Sequence, residues 1–188
     1  MEPFEYVVVL TSLILGLGIT QILIGIAEMV VRSGSGRLSL RHSLMILIVF
    51  ILHIQEWWVS YQYSKEIMLW TLPIVLCLLV YPILLYVMAR ILFPDNDKQL
   101  QDLDGYYDDH WRRFFVVLVL VGITSIWQNW LISDIPVYDQ ISQVLFIVSL
   151  VVFIFGKVMN RSVHIAYLTL ITVAWVYYIF ADMSTLSM

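Results

Sequence analysis

Six long apolar runs dominate the 188-residue chain and limit what it can fold into. They extend over about Tyr6–Val31, Arg41–Tyr63, Met68–Phe93, Phe114–Leu131, Val137–Lys157 and Val163–Ala181. A helix of roughly 20 apolar residues crosses the hydrocarbon core of a bilayer. The runs therefore predict an all-α, polytopic membrane bundle of six transmembrane helices, forming a single domain over residues 1–188. Composition agrees. Hydrophobic residues make up 61% of the chain and charged residues 13%, against about 25% charged in a soluble domain. The first run follows Glu2 and Glu5 instead of a basic stretch and is too long for a signal-peptide core, so it reads as a retained span.

Charge placement gives the orientation. Arg32, Arg37, Arg41, Arg90, Lys98, Arg112, Arg113, Lys157 and Arg161 fall on one side of a six-span layout, and Lys65 alone on the other. The positive-inside rule places the three basic connections in the cytoplasm and both termini outside. Cys77 is the single cysteine, which excludes an intrachain disulfide and any cysteine-based cluster.

The longest connection, 94–113, reads "PDNDKQLQDLDGYYDDHWRR" and is expected to be a solvated cytoplasmic loop, acidic and aromatic. Its aspartates lack the glycine and distal glutamate of an EF-hand and match no zinc spacing. Its tyrosines and tryptophan suit the headgroup level, or docking of a cytoplasmic protein.

The stretches "FEYVVVLTSLILGLGITQILIG" (4–25), "LFPD" (92–95) and "DGYYDDHWRRFF" (104–115) resemble a group of small polytopic bacterial membrane proteins. The resemblance implies a bacterial inner (plasma) membrane location. It implies no catalytic residues.

The chemistry lies in polar groups within the apolar runs. "HIQEWW" (53–58) puts His53 and Glu56 in the second run, close to its middle. At about 100° per residue, His42, His53, Glu56, Trp57, Ser60 and Ser64 share one face. In the first run Thr11, Gly18, Gln21, Gly25, Glu28 and Arg32 share another. Gly18 and Gly25 permit close helix packing there, and Ser12, Gly16 and Thr20 form a second small-residue ridge, which predicts a central first helix with two packing faces. The fourth run carries Thr124, Ser125, Gln128 and Asn129. An ionisable group facing lipid at mid-depth costs about 2.5–3.5 kcal/mol on insertion scales, so these groups are expected to turn inward.

The predicted site is a polar pocket of His53, Glu56, Ser60, Gln21, Thr124, Gln128 and Asn129, enclosed by the first, second and fourth helices. A carboxyl and an imidazole one turn apart suit proton exchange. This points to a small-solute or proton/cation transporter, channel or ligand-binding protein; the alternative is a membrane scaffold or sensor subunit that binds a partner through 94–113. One chain is small for a pore, so conduction implies a homo-oligomer. No cofactor, metal or nucleic-acid partner is expected; His42 and His164, at similar depth, are the one pair placed for haem ligation. Enzyme chemistry is disfavoured, hydrolase chemistry most of all: G-x-S-x-G, H-E-x-x-H and Walker loops are missing from the sequence.

Overall fold

The computed structural model describes residues 3–32, 39–94, 97–156 and 160–182. Its helices are α1 (Pro3–Arg32), α2 (Leu40–Glu66), α3 (Leu72–Ile91), the short α4 (Asp97–Gln101), α5 (Leu103–Ile132), α6 (Ile141–Phe155) and α7 (Arg161–Asp182), with a 3₁₀ turn at Val137–Gln140 before α6. Six of them are long and apolar enough to cross a membrane. The six runs of the sequence thus fold as six long helices.

The helix ends follow local chemistry. Ser39 caps α2, its hydroxyl accepting from the His42 N–H, and Asp102 caps α5 by accepting from the Gly105 N–H. Pro73 stands in the first turn of α3, where its missing N–H costs nothing. Asp134 takes a left-handed backbone conformation (φ 52°) after α5, a geometry that aspartate tolerates better than most residues.

Helix α2 is the hub. It packs against α1, α3, α5 and α7, while α1 rests on α2 and α3, and α5 bridges α3 and α6. The core is built from Leu15 and Ile22 of α1, Val49 and Leu52 of α2, Leu85, Met88 and Leu92 of α3, and Phe114, Phe115 and Leu118 of α5.

Three expectations need correction. First, α1 has one packing face. Thr11, Gly18 and Gly25 are buried, but Gly16 and Thr20 are exposed, and no atom lies within 4 Å of where a Gly16 side chain would begin. The apolar knobs Leu15, Ile22 and Met29 decide which stripe turns inward, because they fill space where Gly16 has nothing to contribute. Second, Trp57 points outward, 56% exposed, because the buried face runs through 49, 52, 53, 56, 60 and 63. Third, 94–113 is largely helical. Residues 97–101 form α4, and α5 begins at Leu103, eleven residues before the expected span. Leu103, Tyr106, Tyr107 and Trp111 are buried in it. Asp95, Asn96 and the 33–38 link lie outside the described residues.

Candidate functional site

The Glu56 carboxyl is turned into the protein, the residue only 5% exposed. It borders a narrow cavity lined by Phe4, Val7, Val8 and Thr11 of α1, Ser60 and Tyr63 of α2, Trp70 in the α2–α3 connection and Leu78 of α3. The space available to the centre of a water-sized molecule is about 10 Å³, enough for a single water. Among the described residues no hydrogen bond or ion pair reaches the Glu56 carboxyl. The hydroxyls beside it are spent on the helix backbone: Ser60 donates to the Glu56 carbonyl (2.8 Å) and Thr11 to the Val7 carbonyl (3.2 Å). The rings of Phe4 and Trp70, 6.0 Å apart, stand at the end of the bundle that carries the N-terminus. The cavity therefore leads from the carboxyl toward that end.

His53 is fully buried one turn deeper. Its Nδ1 bonds the Val49 carbonyl at 2.7 Å and so carries the proton, which leaves Nε2 as an acceptor. That Nε2 is buried without a partner among the described residues. The ring fits against the backbone of α1 only because residue 18 is glycine; any side chain there would strike it. Gly25 makes the same provision for the Phe93 ring.

The remaining predicted residues lie elsewhere. Gln128 donates to the Cys77 carbonyl of α3 at 2.9 Å, and Asn129 donates to the Gln140 side chain at 3.0 Å. Thr124 returns its hydroxyl to Leu120, and Gln21 is half-buried on α1. None of these four lines the Glu56 cavity. Helix α1, the α2–α3 connection and α3 wall the carboxyl, with Thr11, Trp70 and Leu78 in places that sequence reasoning assigned to α5. The available signal was Thr11, which heads the α1 stripe of Thr11, Gly18, Gln21, Gly25, Glu28 and Arg32.

A second polar cluster occupies the basic end. Arg41, 3% exposed, binds Asp104 (3.1 Å) and Asp108 of α5, with its guanidinium carbon 4.5 Å from the centre of the Tyr107 ring. Ser39 donates to Asp104 at 2.6 Å, and Arg161 at the start of α7 pairs with the same carboxylate at 2.9 Å. The Tyr107 hydroxyl meets His164 Nδ1 at 2.7 Å, and Trp111 and Phe153 pack edge-on against that imidazole. His42 has Nε2 on the Leu92 carbonyl (2.6 Å) and rests against Phe93 and Tyr106. The two histidines named for haem ligation are thus engaged with different neighbours. The cluster clamps the ends of α2, α5 and α7 together.

No family model matches the chain, and neither a curated protein nor a solved structure is significantly similar to it.

Proposed function

We propose that the protein is an integral membrane protein of the bacterial inner membrane that binds and releases a proton at Glu56, in the service of proton or small-cation transport or of sensing such an ion. The observation that carries this reading is the Glu56 carboxyl, buried in an apolar span, without a partner among the described residues, and beside a cavity of one-water size. An intramembrane ionisable group is expensive to keep unless it is used. A carboxyl beside space for one water, with an imidazole nitrogen at His53 one turn away that has no partner among the described residues, can hold and pass a proton; the cavity has no room for a larger solute. Conduction across the full thickness calls for movement of the helices or for a second copy.

The alternative, a scaffold that captures a cytoplasmic protein through 94–113, has a narrower basis. Asp104 and Asp108 are committed to Arg41, which leaves Asp109, Arg112 and Arg113 as the exposed charges of the α5 start.

The test uses the full chain in lipid vesicles. Glu56→Gln keeps shape and hydrogen-bonding capacity but cannot titrate. It is expected to express and melt like the parent, to lose one titrating carboxyl band in pH-difference infrared spectra, and to abolish proton flux. A Glu56→Gln protein that keeps the spectrum and the flux, combined with a Glu56→Leu protein that fails to fold, assigns Glu56 a structural role instead.

A further inference from the structure

Helices α2 and α7 do not close on each other over their whole contact. Beside their packed stretch runs a groove of about 420 Å³ lined by Phe50, Ile51, Ile54, Trp58, Val176 and Phe180, with Gln55 set in its wall. This falls within the 300–1,000 Å³ of ordinary small-molecule sites. The groove faces the hydrocarbon, since Ile54 and Phe180 along it are exposed on apolar spans.

Two donors in this wall have no acceptor among the described residues. The Trp175 indole N–H donates to Gln55 Oε1. An indole nitrogen is only a donor, so this bond fixes the orientation of the Gln55 amide and leaves its NH₂ without a partner among the described residues. One turn on, the Trp58 indole nitrogen is buried and also has no partner among the described residues. On this lipid-facing side, unlike in a protein-lined cavity, the hydrocarbon offers no water to satisfy them.

Depth decides what can. Gln55 lies about 5 Å from the middle of the 24-residue α2 span, at 1.5 Å per residue. The ester oxygens of a phospholipid sit at the edge of a hydrocarbon core about 30 Å thick, so they stay about 10 Å short of it. An acyl chain reaches the groove but brings no acceptor. We infer that the groove binds a membrane-dissolved carbonyl compound of the quinone class, its apolar tail and planar ring between Phe50, Trp58 and Phe180, and a ring carbonyl accepting from the Gln55 amide. The site is separate from the Glu56 cavity and stands or falls independently of it.

The experiment measures quenching of tryptophan fluorescence in the full chain, reconstituted in nanodiscs, by decylubiquinone. Decylbenzene, which has the tail and a ring but no acceptor, is the competitor. Saturable quenching is expected, with decylbenzene competing at least about ten-fold more weakly. Gln55→Leu should weaken decylubiquinone binding about five- to ten-fold, the loss of one hydrogen bond. Val176→Phe, or Ile54→Phe from the opposite wall, should fill the groove and remove saturation, leaving only linear partitioning. Equal competition by decylbenzene, or unchanged binding in Gln55→Leu, overturns the assignment. So does a phospholipid that co-purifies with the parent but not with Val176→Phe and blocks decylubiquinone until it is stripped; the groove is then an acyl-chain site.

Discussion

At the scale of single residues, two glycines two positions apart on α1 have opposite meanings. A side chain at Gly18 would strike the His53 imidazole, whereas the space around Gly16 is open. Gly18→Ala should therefore destabilise by about 1–3 kcal/mol, the usual range for overpacking a tight contact. Gly16→Ala should be neutral or stabilise by up to ~1 kcal/mol through helix propensity. Thermal unfolding in detergent distinguishes the two. The double variant Gly18→Ala/His53→Ala should recover most of the loss, because contacting residues do not behave additively. Equal melting temperatures for the two single variants would mean that His53 does not press on α1. Of the candidate site, the sequence made legible the inward direction of three α2 side chains: His53, Glu56 and Ser60 are all buried. It did not reveal their neighbours. Periodicity fixes which way a side chain leaves its own helix, but not which helix waits there. Gln128 and Asn129 have the same polar character as a lining residue, yet the Cys77 carbonyl and Gln140 claim them.

At the scale of elements, apolar length was enough to find the six helices that are long and apolar enough to cross a membrane, because a bilayer asks the same minimum length of each. The start of α5 was hidden for a different reason. Aspartate density signals solvation when read locally, and the partner that changes the reading, Arg41, is more than sixty residues away in the chain. The spacing Asp104, Tyr107, Asp108, Trp111 is nevertheless that of one helical face, and it is the face that meets Arg41 and His164. Breaking a fully buried ion pair costs about 3–5 kcal/mol. Asp104 and Asp108 remain 31% and 49% exposed, so water offsets part of the loss, and Arg41→Gln is expected to cost about 2 kcal/mol. Asp108→Asn, at the more exposed position, should cost under about 1 kcal/mol. Chemical unfolding followed by tryptophan emission measures both. An Arg41→Gln protein as stable as the parent would show that the clamp contributes nothing.

At the scale of the whole molecule, six helices long enough to cross a membrane would, if all of them cross it, bring the start of α1 and the end of α7 to one face. The contact of Phe4 with Trp70 ties the N-terminus to the α2–α3 connection, and that face carries Lys65 as its one basic residue among the described ones. The opposite face holds Arg41, Arg90, Arg112, Arg113 and Arg161. Insertion keeps clusters of Lys and Arg in short loops on the cytoplasmic side, so the basic clamp of α2, α5 and α7 should face the cytoplasm and the Phe4–Trp70 mouth of the Glu56 cavity the exterior. Labelling intact cells with a membrane-impermeant maleimide checks this. Cys77 is buried, and Cys77→Ala removes it as background. In that protein Tyr138→Cys, at a position 72% exposed between α5 and α6, should be labelled from outside. Ser162→Cys, exposed at the start of α7, should react only after the membrane is opened. The reverse pattern would turn the Glu56 cavity toward the cytoplasm, and any proton taken up there would come from the cell interior. The direction of the labelling thus decides which compartment the buried carboxyl can sample.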